Sequence, residues 1–133
     1  VRYEDDVMVE ILKFAQSSKH KTYFFFVSDH GEALGQNGIW GHGHLDAADL
    51  EVPFMYAVFN GTDDALSEKL TAKTVLCSHD VSLAVAEALG WRVEIPGEDL
   101  RVCQVNGRDS MGRAGVLKIT PRADGTADFK LEK

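Results

Sequence analysis

The chain has 133 residues, of which 44% are hydrophobic and 26% charged, so it can enclose one core and is not disordered as a whole. Its formal net charge of −7, with no run of basic residues, excludes a nucleic-acid partner held by phosphate neutralisation. No stretch approaches the roughly 18 to 20 consecutive apolar residues that cross a bilayer, and no signal peptide opens the chain.

The chain begins at Val1 and enters a helical pattern at once, which reads as a piece of something longer. Over residues 4–17, Val7, Ile11, Phe14 and Ala15 recur at helical spacing, and Asp5 and Asp6 suit the positive end of the helix dipole. A continuous apolar run at 22–28 then predicts a strand covered on both faces, as in the parallel centre of an α/β sheet. Burying Phe24, Phe25, Phe26 and Val27 at roughly 1.5 to 3 kcal/mol each would contribute about as much as the net stability of a domain. Residues 31–51 carry five glycines and read as a long functional loop, with one helical turn at 45–50. Pro53 opens a second apolar strand at 53–59, and Asn60-Gly61 ends it.

Ser78 suits the N-cap of a helix over 79–89, with Val81, Val85 and Leu89 on one stripe and Gly90 at its C-terminal end. After Pro96 three short strands follow, at 100–105, 115–120 and 127–131, with Asn106-Gly107 and Asp124-Gly125 marking tight turns near them. These form a small antiparallel meander. Cys77 and Cys103 are too few for a disulfide scaffold and lack metal-motif spacing, so one bridge and two buried thiols are both open.

Ligands of open α/β sheets bind beyond the carboxyl ends of the strands. The strand at 22–28 delivers Asp29 and His30 there, and Gly31 permits the sharp departure that follows. A carboxylate beside an imidazole suits zinc or manganese better than calcium. The same four residues, Asp-His-Gly-Glu, also describe an ordinary turn, so the weight falls on His42 and His44, which the loop can return to the strand end. Glu32 reads as a supporting residue rather than a general base.

The segment SDHGEALGQNGIWGH from Ser28 to His42, followed by EVPF from Glu51 to Phe54, resembles the C-terminal signature of the alkaline-phosphatase-like superfamily, in its sulfatase and phosphoethanolamine transferase branch. The helix of residues 3–14 and CSHDVSLAVAEALG from Cys77 to Gly90 extend the resemblance over residues 3–90. It implies a partial sulfatase fold: a mostly parallel sheet flanked by helices in residues 1–95, and a small antiparallel extension of the same domain in 96–133. It also implies a metal-dependent phospho- or sulfo-transfer enzyme acting on a phosphate or sulfate ester. Asp29 and His30 match two ligands of a divalent metal, zinc first and manganese second. His42 matches a position that contacts the transferred group or a second metal, and His44 ranks below it. The nucleophile and the remaining acidic ligands lie upstream in the family, so residues 1–133 are expected to show no turnover alone. A fragment with uncovered edges is expected to self-associate. The transferase branch implies a membrane-anchored parent, with a periplasmic catalytic domain at the inner membrane, where a Cys77–Cys103 bridge would be tolerated. The alternative is a non-catalytic binding or regulatory domain of the same ancestry.

Overall fold

The computed structural model describes residues 2–73, 75–94, 102–122, 124 and 126–132. Helix α1 (Arg2–Ser17) leads into strand β1 (Thr22–Val27), and a long loop follows that contains strand β2 (Ala33–Leu34), a 3-10 turn (Gln36–Gly38), strand β3 (Trp40–Gly41) and the four-residue helix α2 (Ala47–Leu50). Strand β4 (Phe54–Phe59), helices α3 (Asp64–Thr71) and α4 (Ser78–Ala88), and strands β5 (Cys103–Arg108), β6 (Ala114–Pro121) and β7 (Ala127–Glu132) complete the order. No described helix is long and apolar enough to cross a membrane.

The predicted parallel sheet is not what these residues form. β1 and β4 pair antiparallel, from Thr22 opposite Phe59 to Val27 opposite Phe54. Parallel neighbours require a crossover element packed on the sheet, and the one α-helix described between β1 and β4 has four residues. The chain therefore turns back at the carboxyl end of β1, and the whole 28–53 loop stays at one end of the strand pair.

Strand periodicity puts Tyr23 and Phe25 on one face. There, with Phe54, Tyr56, Leu76 and Ala88, they pack against Leu66 and Leu70 of α3 and Ala84 of α4. The Phe25 and Tyr56 rings, cross-strand partners, lie 5.1 Å apart between centroids. Tyr23 also donates its hydroxyl proton to Asp63 at 2.6 Å. Asp63 accepts the Leu66 amide at 3.2 Å as the N-cap of α3, so one carboxylate ties sheet to helix. Phe24 and Phe26 project to the other face, where burial is partial.

Three helical expectations change in detail. α1 forms, but of its predicted stripe only Ala15 is buried, while Val7, Ile11 and Phe14 face solvent, Phe14 being 78% exposed. α4 is capped by Cys77 rather than Ser78, its amide donating to Asp80 at 2.9 Å. Val81 is buried as expected and Leu89 is not, at 58% exposure, because the helix ends at Ala88 and the chain leaves through Gly90 at a φ of 74°. α3 was not anticipated at all.

The meander forms with order β5-β6-β7, all antiparallel. Residues 100 and 101 of its first predicted strand and Gly125 of its second turn lie outside the described residues. Asn106-Gly107 lies inside β5 instead of turning. A Cβ at Gly107 would stand 2.8 Å from the Leu45 side chain and 3.1 Å from the Gly43 carbonyl oxygen. That glycine thus lets the meander approach the loop, and the turn itself falls at Asp109, whose amide donates to the Arg113 carbonyl at 2.9 Å. A disulfide joins Cys77 to Cys103 with Cα atoms 6.1 Å apart, fastening α4 to β5.

Candidate metal centre

The end of β1 is organised by short-range hydrogen bonds. Ser28 donates its hydroxyl proton to the His30 carbonyl at 2.7 Å, and the His30 amide donates to Asp29 Oδ1 at 3.0 Å. Gly31 donates its amide proton to the Asp49 carbonyl at 2.8 Å, which ties this turn to α2. Only glycine fits there, since a Cβ on residue 31 would lie 1.9 Å from the Ala48 carbonyl oxygen.

β2 and β3 then make a two-residue ladder, Ala33 opposite Gly41 and Leu34 opposite Trp40. Extending that register by one position sets Glu32 opposite His42, and their side chains meet, with His42 Nδ1 3.1 Å from Glu32 Oε2. The imidazoles of His30 and His42 stack with centroids 4.4 Å apart and an interplanar angle of 27°. One ligand-type atom from each of His30, Glu32 and His42 lies within 4.8 Å of the others, and all three residues are open to solvent.

The network also assigns tautomers. His30 Nδ1–H donates to the Gly31 carbonyl at 2.7 Å, which leaves Nε2 with the lone pair. That bond is the main reason the ring's pKa is raised above 6.5; desolvation opposes it, and the Asp29, Glu32 and Asp49 carboxylates add smaller upward pulls. His42 Nδ1–H donates to Glu32 by the same reasoning. An imidazole whose second nitrogen is held by a carbonyl or carboxylate is the usual state of a metal-ligating histidine. The donor set, nitrogen with one carboxylate, therefore fits a divalent transition metal or zinc.

Of the residues expected from the sequence, His30 and His42 are brought together. Asp29 stands beside them, its Oδ2 3.8 Å from His30 Nε2, with its side chain projecting into solvent. His44 is turned elsewhere: its Nδ1 lies 3.4 Å from Asp49 Oδ2, and its amide donates to the same oxygen at 2.6 Å. Asp49, only 4% exposed, is a residue the sequence reading missed. Its carboxylate holds the His44 backbone and its carbonyl holds Gly31, so it braces the loop from the side away from solvent. Glu32 also carries more than expected, as the group that fixes His42. The sequence signal for Glu32 is the hairpin register, which becomes visible only once Gly35 and Gly38 are assigned to its turn, at φ 103° and 74°; Asp49 has no such signal, since its partners His44 and Gly31 meet it through the folded loop.

A family model described as Sulfatase matches residues 1–88. The chain belongs to the sulfatase family. No curated protein and no solved structure matches it. The matched span runs from α1 to the end of α4, so the His30, Glu32 and His42 cluster lies inside the sulfatase region and the β5–β7 meander outside it. Membership groups the chain with sulfatase-like hydrolases, and sulfatase-family domains are metal-dependent, in keeping with the cluster at the end of β1.

Proposed function

We propose that this chain supplies part of the divalent-metal site of a sulfatase-family enzyme acting on a sulfate or phosphate ester. His30 and His42 are the nitrogen ligands, Asp29 joins them as a carboxylate ligand by a side-chain rotation, and Glu32 holds His42. The observation that carries this reading is the convergence of His30, Glu32 and His42 within 4.8 Å, inside the family-matched span.

Zinc is the preferred ion and manganese the second, because two imidazoles favour a borderline cation over calcium or magnesium. Bound there, the cation would stabilise charge on the oxygens of a sulfuryl or phosphoryl group. The chain's own residues orient and brace. Gly31 receives the His30 Nδ1 proton, Glu32 receives that of His42, and Asp49 keeps the intervening loop from drifting. The Ser28 hydroxyl is spent on the His30 carbonyl, which makes it a poor nucleophile. A hydroxyl or formylglycine nucleophile and at least one further acidic ligand would then come from polypeptide outside these 133 residues. The histidine at position 42 keeps a phosphoethanolamine transferase within this reading.

Zinc titration followed by side-chain NMR of the five histidines tests the assignment. His30 and His42 should shift together and saturate at one equivalent, with His20 unmoved. Equal perturbation of all five rings would contradict it.

A further inference from the structure

We infer that Cys77, His79 and Cys103 form a second metal site, distinct from the first, which opens when their disulfide is reduced and takes a soft divalent cation such as zinc or cadmium. Three ligand atoms, the two sulfurs and one imidazole nitrogen, lie within 4.8 Å of one another. Tetrahedral zinc sets such donors about 3.8 Å apart for bonds of about 2.3 Å. After reduction the two sulfurs, no longer bonded at about 2 Å, must therefore part by roughly 2 Å while the imidazole closes on them by at most about 1 Å. Cys77 directly precedes α4, His79 lies in its first turn and Cys103 opens β5, so an ion here would clamp the same two elements that the bridge clamps.

The surroundings suit ligation. Cys103 is buried and Cys77 and His79 are half-buried, which protects the ion from competing water. Asp80 Oδ1 lies 3.5 Å from His79 Nε2, while its Oδ2 accepts the Cys77 amide. One carboxylate therefore fixes the backbone of the first sulfur ligand by a hydrogen bond and stands at ion-pair distance from the ring. Lys73 pairs with Asp80 and holds it in place.

The chemistry balances with a dithiol reductant. The dithiol gives two electrons and two protons to the Cys77–Cys103 bond, which breaks into two thiols while the reductant closes to its own disulfide. The cation then forms two metal–sulfur bonds and one metal–nitrogen bond, releasing the two thiol protons to water. Oxidised, the chain carries a covalent clamp; reduced, it carries a metal one.

The test reduces the whole chain with dithiothreitol, removes the reductant anaerobically, and titrates cadmium while recording the ultraviolet sulfur-to-metal charge-transfer band and far-ultraviolet circular dichroism. The expected result is a band saturating at one equivalent in reduced protein and absent in oxidised protein. It should be lost in Cys103→Ser, weakened at least about tenfold in affinity in His79→Ala, and unchanged in His30→Ala. Absence of the band, or a band indifferent to His79→Ala, overturns the site. So does a band on a chain whose circular dichroism stays unfolded after cadmium is added, since free thiols of a disordered chain also bind the ion.

Discussion

Replacing Gly31 with alanine tests whether the loop's backbone fit governs the metal centre. The added Cβ would sit 1.9 Å from the Ala48 carbonyl oxygen and 3.2 Å from Asp49 Cα, both backbone atoms that no rotamer change can move. Relieving the contact requires a separation of about 1 Å or more, which would also break the 2.8 Å bond from the Gly31 amide to the Asp49 carbonyl. Overpacking costs about 1 to 3 kcal/mol and the lost hydrogen bond about 1, so the variant should lose about 2 to 4 kcal/mol. At about 2.1 cal/mol/K of unfolding entropy per residue, that lowers Tm by roughly 7 to 14 °C. Gly31 lies between His30 and Glu32 and its carbonyl holds the His30 ring, whereas binding constellations tolerate only about 0.5 Å of displacement. Zinc affinity should accordingly fall at least about tenfold. Differential scanning calorimetry and isothermal titration of zinc read the two effects. Gly112→Ala is the control: its φ of 77° penalises alanine, but nothing lies within 4 Å of the new Cβ, so it should cost about 1 kcal/mol and leave zinc binding intact. A Gly31→Ala protein that melts and binds zinc like the wild type would refute the reasoning.

Reducing the Cys77–Cys103 bridge in the presence of chelator opens a loop of sequence separation 26, worth about 3.5 kcal/mol by chain entropy and a Tm drop of roughly 12 °C; calorimetry showing no drop would contradict this. Leu66→Ala empties a side-chain site only 1% exposed at the centre of the α3, α4 and sheet contact, and denaturant unfolding should report a loss of about 2 to 5 kcal/mol. Asp63 has its pKa lowered from 3.8, first by the Tyr23 hydroxyl and then by the Leu66 amide and Lys21, so its folded state favours the carboxylate. Its stabilisation is complete above the unfolded value of 3.8 and is lost as pH falls through the lower folded value, so Asp63→Asn should flatten the acid limb of a Tm-against-pH profile while leaving the slope near neutrality unchanged. With zinc added, the chain alone should not hydrolyse nitrophenyl sulfate or phosphate, and zinc-dependent turnover abolished by His42→Ala would overturn the view that further ligands and a nucleophile are needed.

Elements with strong local signals were legible: α1 and α4 from helical spacing, β1 and β4 from apolar runs, and the meander from its punctuated short strands. The direction of β4 was not, because a run such as Phe24-Phe25-Phe26 does not say whether its neighbour runs with it or against it. What decides is the loop, whose one α-helix is too short to cross the sheet. Helix α3 was missed because the positions it buries, Leu66 and Leu70, are just two in eight residues. Asn106-Gly107 misled for a different reason, since glycine there serves a tertiary approach to Leu45 that no local pattern encodes. At the site, local pattern does not tell His42 from His44, each following a glycine, and only the family resemblance ranks His42 first. The hairpin register separates them, aligning position 42 with Glu32 and leaving His44 to turn inward to Asp49. The apolar stripe of α1 was legible as a pattern, but its cover was not, and it stands exposed along Val7, Ile11 and Phe14.

The most direct measurement is calorimetric zinc titration of the oxidised chain, whose cysteines are held in the bridge, beside a His30→Ala, His42→Ala double variant. Binding of one equivalent by the wild type, weakened at least about tenfold in the variant, is the predicted result. Identical heats from the two proteins would mean that the paired imidazoles at the end of β1 do not hold the ion.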